Sequence, residues 1–265
     1  MRDLDHLKWA ADTGFGVFEV CVSDPGAIEP DALETVARQT GVRLTVSGDF
    51  GPSRDTGHPD GHVRDNAVAY MRECIDIAVA LGSPIFAGPL YSAVGKARWL
   101  STEERAAERS RSVESLRKVA EYAAEQNVRL ALEPLNRFET DMVNTVRGAL
   151  DLLDAIDVPG TGLMLDTFHM NIEEKDQADA IRTAGDAIAH FQASENDRGT
   201  PGTGAVPWHS VRDALSDTGY GGDIVIESFV PVPALADGAS IWRDPADSMR
   251  RLASEGLTYL TGLFS

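Results

Sequence analysis

The sequence predicts an α/β fold, a (β/α)8 barrel lacking or truncated at its first strand, and three observations carry that reading. Short apolar runs alternate with longer amphipathic stretches along the chain. Most short runs are apolar nearly throughout rather than at every second residue, and glycines follow the ends of several amphipathic stretches. Alternation implies a parallel sheet covered by helices, and continuous apolarity implies strands buried on both faces. A chain of 265 residues with 43% hydrophobic content fits one such domain over residues 1–265, because these barrels commonly need about 250 residues.

The elements follow in order. Asp3 to Thr13 has a helical pattern through Leu4, Leu7, Trp9, Ala10 and Ala11, and leads through Gly14 into a strand at Val17 to Val22. Further strands are expected at Val42 to Ser47, Pro84 to Ala87, Val128 to Leu132, Gly162 to Leu165, Ile188 to Ala193 and Asp223 to Ile226, from their apolar, partly β-branched content. Helices are expected at Asp31 to Thr40, Arg64 to Leu81, Ser101 to Gln126, Val143 to Ile156, Asp176 to Gly185 and Val206 to Thr218. Gly41, Gly82 and Gly219 stand where left-handed C-caps are needed. Seven strands are one short of closure, so either the start of the chain is cut or mis-assigned, or the strands at Val17 and Ile224 are edges that something must cover. Covering by a partner subunit, and hence a homo-oligomer, is one expectation.

Forty-two acidic against 24 basic residues give a formal charge of −18, a surface that repels a phosphate backbone and argues against nucleic acid as a partner. No run approaches the length needed to span a bilayer, and no basic, apolar and cleavable leader opens the chain. Cys21 and Cys74 fall in apolar patterns and read as buried thiols rather than a bridge. A cytoplasmic protein without membrane association is expected.

Four strand-end runs concentrate the chemistry. Glu133 closes Arg129-Leu-Ala-Leu-Glu, and Pro134 then ends the strand. Asp166 and Glu227 repeat that arrangement after Met164-Leu and Ile224-Val-Ile, and Gln192 ends Ala189-His-Phe-Gln. In a β/α barrel such strand ends converge on one mouth. Three carboxylates there would force one another to protonate unless a cation joins them, so Glu133, Asp166, Gln192 and Glu227 read as a metal cage. Four oxygen ligands favour Mn²⁺ or Mg²⁺ over Zn²⁺, with Co²⁺ a possible substitute. His190 shares the face of Gln192 one layer deeper and reads as packing or support. His169, three residues after Asp166, and Arg198, in a polar loop, are candidates to hydrogen-bond a ligand or orient the acids.

Three longer motifs, Leu132-Glu-Pro-Leu-Asn-Arg-Phe-Glu139, Leu165-Asp-Thr-Phe-His-Met-Asn-Ile-Glu-Glu174, and Ser194-Glu-Asn-Asp-Arg-Gly-Thr-Pro-Gly-Thr-Gly204 followed by Trp208, make the chain resemble the xylose-isomerase-like TIM barrels. Within them it resembles the ketose 3-epimerases of the D-tagatose and D-psicose type, from about residue 4 to the C-terminus. The resemblance implies that Glu133, Asp166 and Glu227 are metal ligands, with Glu133 and Glu227 also the acid/base pair. It implies that Glu139, His169 and Arg198 contact the substrate's carbonyl end or hold the catalytic carboxylates.

This chain departs from those epimerases in three places. Gln192 stands where they usually carry a metal-binding histidine, and resembles the related hydroxypyruvate isomerases in doing so. The aromatic residues after the fourth family strand are reduced to Tyr91, and the first strand is absent. The expected activity is therefore ketose 3-epimerisation or a closely related sugar isomerisation, by proton abstraction beside a carbonyl. Hydroxypyruvate-isomerase-like or keto-sugar lyase activity, and a non-catalytic sugar-binding barrel, are the alternatives. The partner is a small ketose or keto acid.

Overall fold

The structure, a computed structural model, describes residues 2–231 and 241–265. Its strands β1 (Val17–Val22), β2 (Arg43–Gly48), β3 (Ile85–Gly88), β4 (Arg129–Leu132), β5 (Thr161–Asp166), β6 (Ile188–Ala193) and β7 (Ile224–Ile226) form one parallel sheet in chain order. Between and around them lie α1 (Arg2–Thr13), α2 (Pro30–Thr40), α3 (Gly61–Ala80), α4 (Thr102–Glu125), α5 (Val146–Ile156), α6 (Thr167–Glu173), α7 (Gln177–Ala184), α8 (Trp208–Thr218) and α9 (Met249–Phe264). The expected strands are all present within one or two residues of their predicted bounds. The short α6 and the C-terminal α9 are additions to the predicted set.

Side chains divide by strand parity. Val20, Val22, Leu44, Val46, Phe86, Leu130, Leu132, Leu163, Leu165 and Phe191 point to the helices and join one continuous apolar core. The opposite parity faces the barrel axis with small or polar groups. Ala87, Ala131 and Met164 make a separate small cluster there, and Glu133, Asp166 and Gln192 follow on the same parity toward the strand ends. On β5 and β6, Asp166 lies opposite Gln192 beyond a register shift at Leu163/Met164, and Glu133 follows Leu132 on the neighbouring β4, so the polar residues gather at the same end of the sheet.

Local chemistry sets the helix ends near the expected ones, although α3 starts at Gly61 rather than Arg64 and α5 at Val146 rather than Val143. Ser101 and Glu104 form a capping box on α4, and Asp60, Thr145 and Asp176 cap α3, α5 and α7. Gly41, Gly82 and Gly219 take φ of +76°, +67° and +71°, which a side chain would disfavour.

The sheet does not close: β1 and β7 are its two edges. Between them runs a slot of about 450 Å³ lined by Trp9, Phe15, Val17, Ile224 and Met249, among others. Helices α1 and α9 thus shield part of each edge. An ion pair between Arg43 at the start of β2 and Asp223 before β7 ties the amino ends together. Cys74 is buried as expected, but Cys21 is exposed, because it faces inward on β1 where the missing neighbour leaves the slot open. Among the described residues no helix is long and apolar enough to cross a membrane.

Candidate active site

The strand ends surround a cavity of about 320 Å³ lined by Glu133, Glu139, His169, Gln192, Arg198 and Glu227, with Gly88, Met164 and Phe229 among its walls. Each polar group is placed by its own segment. Glu133 extends the β4 ladder by one bond, its N–H donating to Gly88 O at 2.9 Å, before Pro134 ends it. Asp166 is both the last residue of β5 and the N-cap of α6. Its Oδ1 accepts the Phe168 N–H at 2.9 Å, and Oδ2 accepts Arg198 Nη1 at 2.6 Å. The first turn of α6 then brings His169 back over the mouth, with Nε2 3.7 Å from Asp166 and 3.5 Å from Glu133. Glu227 follows β7, and its Oε2 also accepts from Arg198 Nη1 at 2.6 Å.

Arg198 is 3% exposed and joins the two sides of the mouth. Ser194 Oγ is 2.7 Å from Nη1, and the guanidinium carbon lies 3.9 Å from the Phe168 ring centroid and 4.9 Å from that of Phe229. Its φ is +62°, a strained value for a side-chain-bearing residue that a rigid loop must impose. Buried Glu195 supplies that rigidity, accepting from the N–H groups of Asn196, Gly202 and Val206 and from Trp208 Nε1. The polar motif from Ser194 to Gly204, with Trp208, is therefore a scaffold for one arginine.

Burial, and then Glu227 and Asp166, push the Glu133 carboxyl well above its ordinary range, with Arg198 pulling the other way. Burial raises Glu227 to about 8 against the same guanidinium, with Asp166 adding to the rise. Burial also raises Glu139, which accepts Asn136 Nδ2 at 2.7 Å. The His169 ring is held neutral, with burial lowering it to about 3. Its Nδ1 accepts the Asn136 N–H at 3.1 Å, so the proton of the neutral ring sits on Nε2, facing the carboxylates. Glu133, Asp166 and His169 each offer one ligand atom, all within 4.8 Å of one another. Among them the His169 tautomer suits a hydrogen-bond donor better than a metal ligand.

Gln192 completes the ring from β6. Its Oε1 is buried without a hydrogen-bond partner, a costly condition unless something else occupies that lone pair. Its Nε2 donates to Glu19 Oε1 at 2.6 Å, and Glu19 Oε2 lies 2.5 Å from His190 Nε2. Burial acts to raise Glu19, but His190, Gln192 and Ser47 hold it below the usual carboxylate range. His190 is thus a supporting residue, as its strand position suggested. Glu19, Asn136 and Ser194 are additions to the expected site. Asn136 and Ser194 lie within two of the quoted motifs, and Glu19 left a local trace as an acid inside an otherwise apolar strand.

The chain belongs to the xylose isomerase-like TIM barrel family, whose model matches residues 7–252. It is 34% identical over 243 residues to the D-psicose 3-epimerase of Ruminiclostridium cellulolyticum, covering 90% of this chain and 83% of that protein. It is 36% identical over 257 residues to a probable ketose 3-epimerase of Synechocystis sp., covering 97% and 88%. Among solved structures, D-psicose 3-epimerase with D-tagatose from Clostridium cellulolyticum H10 superposes with a TM-score of 0.92 at 31% identity, covering 100% of this chain and 94% of the other. These relatives are sugar epimerases, as the three motifs had indicated.

Proposed function

We propose that this chain is a divalent-metal-dependent ketose 3-epimerase, inverting the carbon beside a keto-sugar carbonyl through an enediolate, with Glu133 and Glu227 as its acid/base pair. One observation carries the reading. Glu133 and Glu227 stand at the ends of β4 and β7, on the walls of one cavity, with Asp166 and the unpartnered Gln192 Oε1 on the two strands between them. Three carboxylates and an amide oxygen suit a hard ion, Mn²⁺ or Mg²⁺ with Co²⁺ as substitute. When bound, such an ion supplies polarisation of the ketose carbonyl and so acidifies the neighbouring C–H.

This chain's residues do the rest. One glutamate takes the C3 proton as the C–H electrons move toward the carbonyl oxygen. The other returns a proton to the opposite face, which inverts the centre. His169, donating through Nε2–H, orients a substrate oxygen. Arg198 holds Asp166 and Glu227, and Glu139 receives a substrate hydroxyl at the cavity edge. A second reading, hydroxypyruvate-isomerase-like activity, is favoured by Gln192 alone and uses the same residues. We also read residues 1–265 as a single domain acting in the cytoplasm on a small ketose or keto acid. Association of two copies over the β1 and β7 edges would cover the open slot; a monomer in solution would count against it.

The test is incubation with D-fructose, D-tagatose, D-ribulose and hydroxypyruvate in deuterated water. Exchange at C3 with inversion supports the epimerase. Exchange at C1 or C2 with aldose formation moves the assignment to an isomerase, and no exchange with any of the four sinks both.

A further inference from the structure

Gln192 carries an ambiguity that the carboxylates of the cage do not. One end of its amide is an oxygen that attracts a cation, and the other is an NH₂ group that repels it. The two ends are nearly equal in shape, so packing alone does not choose between them.

The choice is made across the barrel. Glu19 lies on β1 and Gln192 on β6, with 2.6 Å between Gln192 Nε2 and Glu19 Oε1. An ionised carboxylate only accepts, so at that distance the amide must present its N–H to Glu19, and its oxygen must turn the other way. That oxygen is the buried Oε1 with no hydrogen-bond partner. The carboxylate is itself fixed by two further side chains: its Oε2 is 2.5 Å from His190 Nε2, also on β6, and 3.4 Å from Thr45 Oγ1 on β2.

We propose that Glu19 is a positioning residue: its carboxylate locks the Gln192 amide with the oxygen toward the cage, and so allows a neutral glutamine to serve as a cation ligand. The inference rests on the metal-cage reading given above and adds to it the device that sets the ligand's orientation. Support of this kind behind a metal ligand typically governs affinity by about 10–100-fold.

The experiment measures Mn²⁺ affinity by the electron paramagnetic resonance signal of the free ion, alongside thermal unfolding, for wild type and three variants. In E19Q the introduced amide has one acceptor where the carboxylate had two, and its NH₂ can donate to Gln192 Oε1. The Gln192 amide then reverses and turns its NH₂ into the cage. Mn²⁺ affinity is expected to fall about 10–100-fold with the fold retained. In E19Q/Q192E the net charge equals that of wild type, and the introduced carboxylate at 192 has an oxygen at both ends. One accepts from the introduced amide and the other faces the cage, so affinity is expected to recover. Q192E alone brings two carboxylates into contact and is expected to bind less well than the double variant.

Wild-type affinity in E19Q, with wild type itself binding Mn²⁺, overturns the role of Glu19 and leaves the cage intact. Loss in E19Q without recovery in the double variant overturns orientation as the mechanism. Failure of wild type to bind Mn²⁺ removes the cage and this proposal with it. Should E19Q not fold, the Gln192 side-chain NH₂ resonances of the wild type, assigned by their loss in Q192E, decide the matter. One proton shifted strongly downfield and unmoved by Mg²⁺ supports the lock, and a solvent-like pair overturns it.

Discussion

Replacing Arg198 by methionine keeps most of the side-chain volume and removes the positive charge that Asp166 and Glu227 share at 2.6 Å each. Arg198 and Asp166 are almost fully buried, while Glu227 is partly open to the cavity. Removing one partner of a buried pair costs about 3–5 kcal/mol, because the remaining charges are left uncompensated. Loss of the guanidinium from between Phe168 and Phe229 adds roughly 1 kcal/mol. The penalty depends on pH. Glu227 is already pushed up to about 8 and Glu133 well above its usual value, so in acid they take up protons and the missing charge matters less.

Denaturant unfolding of chelator-treated wild type and R198M should therefore differ by about 4–6 kcal/mol near pH 9 and by distinctly less near pH 6. Adding Mn²⁺ should narrow the gap near pH 9, since the cation replaces the charge that was removed. A metal-free R198M within about 1 kcal/mol of wild type near pH 9 would refute the claim that the guanidinium balances these acids.

The other predictions are simpler. In the metal-free wild type, the raised values of Glu133 and Glu227 mean that the folded state holds more protons than the unfolded one. Their contribution to stability is present in acid and is lost as pH rises from the ordinary carboxylate value of 4.5 through about 8 for Glu227; thermal midpoints across that range check the sign. Mn²⁺ binding near neutrality should release protons, seen calorimetrically as a binding heat that changes with the ionisation enthalpy of the buffer. E133Q and E227Q should each lower deuterium exchange into the ketose by about 10²-fold or more while the fold survives, and turnover near wild type would remove that residue from the acid/base pair. Tyr91→Phe removes a buried hydroxyl that donates to Val143 O at 2.8 Å and accepts Leu135 N–H at 3.2 Å, and should cost about 1–3 kcal/mol of unfolding free energy.

How much of this was legible in the sequence follows from the range of each interaction. Strand and helix positions are set by runs of neighbouring residues, and Glu133, Asp166, Gln192 and Glu227 each follow or close such a run, so their gathering at one mouth is legible in the sequence. Helix α9 escaped because no strand follows it to define a β/α unit, and α6 because a helix of 7 residues shows too little periodicity. Orientation is the harder property. Which nitrogen of His169 carries the proton depends on the Asn136 N–H, 33 residues away. Which end of the Gln192 amide faces the cage depends on Glu19, 173 residues away. Neither alters a propensity or a hydrophobic pattern, since both act between segments that meet only after folding. The sequence thus points to the candidate site residues, whereas the hydrogen-bonding roles of two of them, the donor imidazole of His169 and the accepting amide of Gln192, follow from Asn136 and Glu19. A histidine at 192 would tolerate the Glu19 carboxylate as a hydrogen-bond acceptor behind it. A glutamine needs that carboxylate to be ionised and in place, so the departure at 192 makes the β1 edge of the open barrel part of the site.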